Sequence, residues 1–307
     1  MFSGCGTALV TPFKQDGSLD EATLRALVDR QIEQGIDFLV PCGTTGESPT
    51  LSHMEHLRVI EITVEQSRKA SRKVPVVGGA GGYNTAEVVK MARDIEALGA
   101  DGLLSVAPYY NKPTQEGLYQ HFEAIAVATR LPIILYNIQG RTGVNIETAT
   151  VKRLAEIPNI VAVKEASGSI SQMAQVVHQL PSNFDVLCGD DAITIPLISL
   201  GGRGVISVLS NELPAEMTML THMAMNGNFA EARKLQRALM PLMEANFIEA
   251  NPGPAKYVMH RMGLLELEFR LPMVPPSEAS RAKLDQVMAQ MGLAPAPATR
   301  PVAAAVR

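Results

Sequence analysis

Short apolar runs alternate along the chain with longer stretches in which apolar residues recur every three to four positions. The runs fall at residues 7–10, 38–42, 74–78, 102–107, 132–137, 160–164, 185–188 and 204–208. Such uninterrupted runs suit strands buried on both faces, and the periodic stretches between them suit amphipathic helices. Leu24, Leu27, Val28 and Ile32 mark one helical face, and Val88, Met91, Ile95 and Leu98 another. Gly35 and Gly99 follow these stretches as C-terminal stops, and Asp20 and Thr85 precede them as N-caps. Eight parallel strands within about 200 residues, mostly separated by one helix each, predict a closed (β/α)8 TIM barrel.

After the eighth run come further helical patterns at residues 214–225, 228–250, 254–262 and 277–291, more than a barrel needs. The predicted organisation is a barrel catalytic domain over residues 1–225, a C-terminal helical appendage over 226–292, and a Pro- and Ala-rich tail over 293–307 that is expected to be disordered.

Composition narrows the partners. With 46 % hydrophobic residues and a net charge of −4 the chain can bury a large core, and basic residues are mixed with acidic ones throughout. No stripe of positive charge suits nucleic acid or an anionic membrane, so a small molecule is the expected partner. The start lacks a basic segment leading into an apolar one, and no run approaches the roughly 20 apolar residues that span a bilayer, which predicts a cytoplasmic protein. Cys5, Cys42 and Cys188 are far apart, and His53 and His56 lack further ligands at metal spacing. Gly78–Gly82 has Asn84 where a dinucleotide fingerprint needs its last glycine. Neither a metal nor an organic cofactor is expected.

Barrel enzymes draw their reacting groups from the C-terminal ends of the strands and the loops that follow. Lys164 ends the sixth run, directly after Ile160, Val161, Ala162 and Val163. Two readings stay open on this feature alone: a lysine that snorkels to the rim or pairs with Glu165 or Glu47, and a nucleophilic amine. Imine chemistry requires a neutral amine, which an apolar interior favours. Tyr136 ends the adjacent strand, where its phenol is a candidate proton carrier or a rim aromatic bonded to backbone. Thr44 and Thr45 stand between Gly43 and Gly46, a sequence that suits a nest for a carboxylate or an ordinary capped turn. Arg141, on what reads as a mobile loop between Gly140 and Thr142, suits bidentate capture of a second carboxylate or a surface salt bridge. Amine, phenol, hydroxyls and guanidinium at one barrel mouth describe carbonyl chemistry on carboxylated substrates.

These residues also carry a family pattern. GTALVTPF at residues 6–13, CGTTGES at 42–48, PYYNKPTQEG at 108–117, YNIQGRTG at 136–143, VKEASG at 163–168, GDDA at 189–192, GVISV at 204–208, NPGPAK at 251–256 and RLPMVPPSE at 270–278 cover most of the chain. The chain resembles the dihydrodipicolinate synthase family of class I aldolases. The resemblance implies that Lys164 forms an imine with pyruvate, that the derived enamine attacks the aldehyde of L-aspartate-4-semialdehyde, and that cyclisation frees the lysine. It implies a proton relay of Tyr136, Thr45 and Tyr110, with Tyr110 supplied by the neighbouring protomer of a homotetramer. It assigns pyruvate to Thr44, Thr45 and the backbone near Gly189 and Ile206, and the semialdehyde carboxylate to Arg141.

The GRTG segment that holds Arg141 separates this chain from N-acetylneuraminate and sugar-acid lyases of similar fold, the competing enzyme reading. A non-catalytic 2-oxo acid binding barrel would need the carboxylate contacts alone. Gln139 stands where the family usually has proline, and Pro49 where alanine is commoner. The family's lysine-effector pocket maps onto Ser48, His53, His56, Tyr83, Glu87 and Tyr109, with Tyr83 in place of the usual asparagine. Weak or absent inhibition by lysine is therefore expected.

Overall fold

Each apolar run becomes a strand: β1 Gly4–Ala8, β2 Phe38–Val40, β3 Val77–Gly79, β4 Gly102–Val106, β5 Ile133–Asn137, β6 Ile160–Glu165, β7 Asp185–Cys188 and β8 Gly204–Ser207. The computed structural model describes residues 2–293; the expectation of disorder for the tail falls on residues 294–307, outside the described residues. The strands are parallel in the order β2-β1-β8-β7-β6-β5-β4-β3, and a bridge from Leu39 to Val76 brings the two edges together. The architecture is the expected TIM barrel.

The helices are α1 Glu21–Glu33, α2 His53–Lys69, α3 Thr85–Leu98, α4 Gln115–Ala128, α5 Gln139–Thr142, α6 Thr148–Leu154, α7 Ile170–Gln179, α8 Thr194–Ser199, α9 Pro214–Met225, α10 Phe229–Ala245, α11 Gly253–Arg261 and α12 Glu278–Gln290. The helical patterns at 214–225, 254–262 and 277–291 match α9, α11 and α12 to within a residue or two, and α10 ends five residues before its pattern does.

Two boundaries differ instructively. The first strand starts three residues before its apolar run because Gly4, Cys5 and Gly6 belong to it. A Cβ on Gly6 would lie 2.2 Å from the Phe38 ring, so the barrel interior requires glycine where hydrophobic periodicity looks for bulk. Asp20 does cap α1, accepting from Thr23 N at 3.1 Å. Asn84, however, caps α3 by accepting from Ala86 N, while the Thr85 hydroxyl meets His121 Nδ1 at 2.9 Å.

Side chains alternate between two cores, as the period of a strand dictates. Inside the barrel lie Ala8, Phe38, Val40, Val77, Leu104, Ile134, Ala162, Leu187 and Ile206. The opposite faces, with Leu39, Leu103, Ile133, Leu135 and Val163 among them, pack under the helices. The three cysteines are free and buried. Helix α10 packs on α9 and on α12, and α11 packs on α12. The segment beyond α11 returns to the catalytic end of the barrel. There Arg270 donates to both oxygens of Glu55 and to the main-chain oxygens of Gly17 and Thr50. That guanidinium holds the Glu55 carboxyl down to about 2. Among the described residues no helix is long and apolar enough to cross a membrane.

Candidate active site

Strand alternation places Lys164. Ala162 points into the barrel, Val163 outward, and Lys164 two residues on points inward again. Lys164 pairs in register with Tyr136 on β5 and Leu187 on β7. Its side chain is 5 % exposed, and Nζ lies 4.2 Å from the centroid of the Tyr136 ring. Neither carboxylate offered by sequence is its partner. Glu165 points outward into the amides of Asn137 and Gln172 and accepts from Ser167 N at 2.7 Å. Glu47 is bonded to a different lysine, Lys256. Among the described residues no carboxylate forms an ion pair with Lys164, so its amine stands against an aromatic face in an apolar shell.

Gly189, just beyond β7, makes room for that amine. A Cβ there would stand 3.0 Å from Lys164 Cε and 2.6 Å from the Ala166 methyl. Its N–H is fixed by Glu165 O at 2.9 Å, and Ile206 lines the same interior from β8.

The loop after β2 is held under strain. Cys42 and Glu47, which flank Gly43-Thr44-Thr45-Gly46, have φ of +57° and +52°, a region few side chains adopt. Glu47 is held in that turn by Lys256 of α11, whose Nζ donates to Glu47 Oε1 (2.7 Å), Thr11 O (3.2 Å) and Glu268 O (2.6 Å). Burial lowers the Lys256 ammonium below its ordinary range, against the opposing pull of Glu47. Thr45 is buried and accepts from Asn251 Nδ2 at 2.9 Å. Lys256 and Asn251 were visible in sequence only as parts of the NPGPAK motif; a lysine inside an otherwise apolar helix start was the available signal.

Arg141 is exposed and reaches Asn251 O at 3.5 Å. Its segment reads as a mobile loop by composition but is one turn of helix, α5, closed by Thr142 N to Ile138 O at 3.1 Å and Gly143 N to Gln139 O at 2.9 Å. Gln139 opens that turn, a position where proline is also tolerated. Tyr110 does not meet Tyr136 or Thr45 within this chain: it is 88 % exposed, with φ of +66°.

A cavity of about 600 Å³ runs from Thr44, Tyr136 and Arg141 outward to Ser48, His53, His56, Glu87 and Tyr109. Thr44, Tyr136 and Arg141 therefore share one void with most of the candidate effector residues, whereas Lys164, Thr45, Gly189, Ile206 and Tyr110 are not on its lining. Gly79 lies on the lining, and a Cβ there would be 2.0 Å from Cys42 O. Gly79 O meets His56 Nε2 at 2.7 Å, and burial pushes the His56 imidazole below its usual value. His53 pairs with Asp94 at 2.8 Å. Tyr83 is not on the lining; it stands edge-on to Tyr109 with centroids 5.2 Å apart. Burial first, then Tyr83 and Glu87, raise the Tyr109 phenol. Asn84, the next residue, is used as the cap of α3.

The family model described as the dihydrodipicolinate synthetase family matches residues 1–291. A 4-hydroxy-tetrahydrodipicolinate synthase of Koribacter versatilis is 57 % identical over 291 residues, covering 94 % of this chain and 96 % of its own. The crystal structure of dihydrodipicolinate synthase from Aquifex aeolicus superposes with a TM-score of 0.94 at 42 % identity, covering 96 % of this chain and 100 % of its own. The chloride-inhibited synthase of Acinetobacter baumannii, solved with pyruvate, gives a TM-score of 0.93 at 41 % identity over 95 % and 100 %. With the fold, the motifs and the strand-end lysine all in agreement, the chain belongs to the dihydrodipicolinate synthetase family.

Proposed function

We propose that this chain is a 4-hydroxy-tetrahydrodipicolinate synthase, a lyase that condenses pyruvate with L-aspartate-4-semialdehyde on the way to diaminopimelate and lysine. The observation that carries the reading is Lys164: buried, free of carboxylate partners among the described residues, and facing Tyr136 beside a cavity that ends at Arg141. The Lys164 amine attacks the keto carbon of pyruvate and water leaves, forming an imine. Loss of a methyl proton gives the enamine, whose terminal carbon attacks the aldehyde carbon of the second substrate. The amino group of that substrate then adds to the imine carbon, closing the ring and expelling Lys164.

Tyr136 and Thr45 carry the protons of these steps together with Tyr110. Because Tyr110 is turned to solvent on a left-handed backbone position, it serves the neighbouring subunit of a homotetramer. Thr44, Thr45 and the backbone at Gly189 and Ile206 hold the pyruvate carboxylate. Arg141 takes the carboxylate of the semialdehyde as a two-pronged donor. No cofactor takes part, and the enzyme works in the cytoplasm.

A coupled assay of pyruvate with aspartate semialdehyde, run beside pyruvate with sugar aldehydes, tests the reading. Turnover is expected with the semialdehyde. Turnover with sugar aldehydes alone would move the chain to the sugar-acid lyases.

A further inference from the structure

Arg141 rides on a loop whose base is closed by one side chain. Among the described residues its guanidinium has a single polar contact, Asn251 O at 3.5 Å, so its aim is set by the backbone that carries it. That backbone leaves β5 at Asn137 and returns at Ile146. Asn137 Oδ1 accepts from Ile146 N at 2.9 Å, while Nδ2 donates to Asn145 Oδ1 at 2.8 Å and to Ile146 O at 3.4 Å. This fully buried amide joins the two ends of the loop much as a neighbouring strand would. We propose that Asn137 is a positioning residue for the second substrate: by clamping the base of this loop it fixes where Arg141 meets the substrate carboxylate. The inference rests on the synthase reading.

Glu165 decides which way the clamp faces. A carboxylate only accepts, so the amide beside it must turn its NH2 group towards Glu165 Oε1 and Oε2, at 3.4 and 3.3 Å. Asn137 Oδ1 is thereby left to the N–H of Ile146. Glu165 is itself fully buried, and its remaining donors, Ser167 N at 2.7 Å and Gln172 Nε2 at 3.2 Å, are neutral. Asn137 and Glu165 pair in register one step beyond Tyr136 and Lys164, and strand alternation puts them on the opposite face of the sheet. The clamp thus makes no polar contact with the Lys164 or Tyr136 side chain, and pyruvate chemistry should survive its loss.

Asn137→Ala opens the clamp. It is expected to raise KM for aspartate semialdehyde about tenfold, the factor that one net hydrogen bond represents. Turnover number and the rate of borohydride trapping of pyruvate are expected to change by less than about twofold. In an Arg141→Ala background the same substitution should add less than about twofold, because the group it aims is gone. Full multiplication of the two effects, an unchanged KM, or trapping slowed as much as semialdehyde use would each overturn the inference. Should Asn137→Ala fail to fold, Glu165→Gln keeps the shape and removes the charge that orients the amide. The same pattern is expected there, with KM raised about threefold, and a wild-type KM would overturn the proposal. Trapping on the unmodified enzyme separates the two levels. No adduct at Lys164 sinks the synthase reading, whereas a normal adduct with an unchanged semialdehyde KM in Asn137→Ala sinks Asn137 alone.

Discussion

Lys256 Nζ and Glu47 Oε1 lie 2.7 Å apart with both side chains fully buried, joining α11 to the strained end of the loop after β2. Removing one member of such a pair leaves the other charge desolvated and uncompensated. Lys256→Met and Glu47→Gln are each expected to cost about 3–5 kcal/mol of stability. The double variant is expected to cost less than their sum, as measured by denaturant unfolding.

Gly189 is where the smallest change should reach Lys164. A methyl group there would press on Lys164 Cε and the Ala166 methyl at once. Gly189→Ala is expected to slow borohydride trapping of pyruvate by about tenfold or more, corresponding to about 1.4 kcal/mol, while the thermal midpoint moves by only a few degrees. Unchanged trapping would mean that the lysine has more freedom than its surroundings imply.

Arg141 is exposed and held by a single long contact to Asn251, so its removal leaves little strain. Arg141→Ala is expected to form the pyruvate adduct normally and to lose about a hundredfold in kcat/KM for aspartate semialdehyde, the scale of a lost charge-assisted bidentate contact. Equal use of both substrates would reject its role.

Tyr83 sets the expectation for lysine. Its ring leans on Tyr109 beside the cavity, and Asn84 is occupied by its cap. Lysine is expected to inhibit the enzyme weakly, and Tyr83→Asn to strengthen inhibition about tenfold, the gain of one well-placed polar contact. Inhibition curves decide it; strong inhibition of the unmodified enzyme at low lysine would refute the reading.

His121, which is not on the cavity lining, gives a pH signature. Burial lowers its imidazole from 6.5 to about 4. Between those values the unfolded chain binds a proton that the folded chain refuses. Stability is therefore full above about pH 6.5 and falls as pH drops towards 4, by about 1.4 kcal/mol per pH unit for this group. Unfolding free energies measured at pH 7, 6 and 5 should follow that slope, with a shallower slope in His121→Leu.

The strands were legible because a parallel barrel buries both faces of each strand and writes them as unbroken apolar runs. Lys164 stands out for the same reason, an amine ending an apolar run, although that feature alone leaves a snorkelling or paired lysine open. The start of β1 was not, since Gly4 and Gly6 make room for the side chains of Asp37 and Phe38 and so carry no apolar signal. By composition the segment of Arg141 reads as a mobile loop, whereas main-chain bonds close it into a helical turn. Asn251 and Lys256 escaped attention for a different reason. Each acquires its role from a partner more than 200 positions away, Thr45 and Glu47, and local pattern carries no trace of such pairing.

That separation bears on how the enzyme is made. The loop carrying both threonines is synthesised early, yet the side chains that stabilise it are threaded through the ribosome only near the end. A nascent barrel can close its sheet with this loop still unlatched. The latch cannot form until Asn251 and Lys256 have been made, and a chain interrupted before them would hold the lysine without these two contacts to the loop.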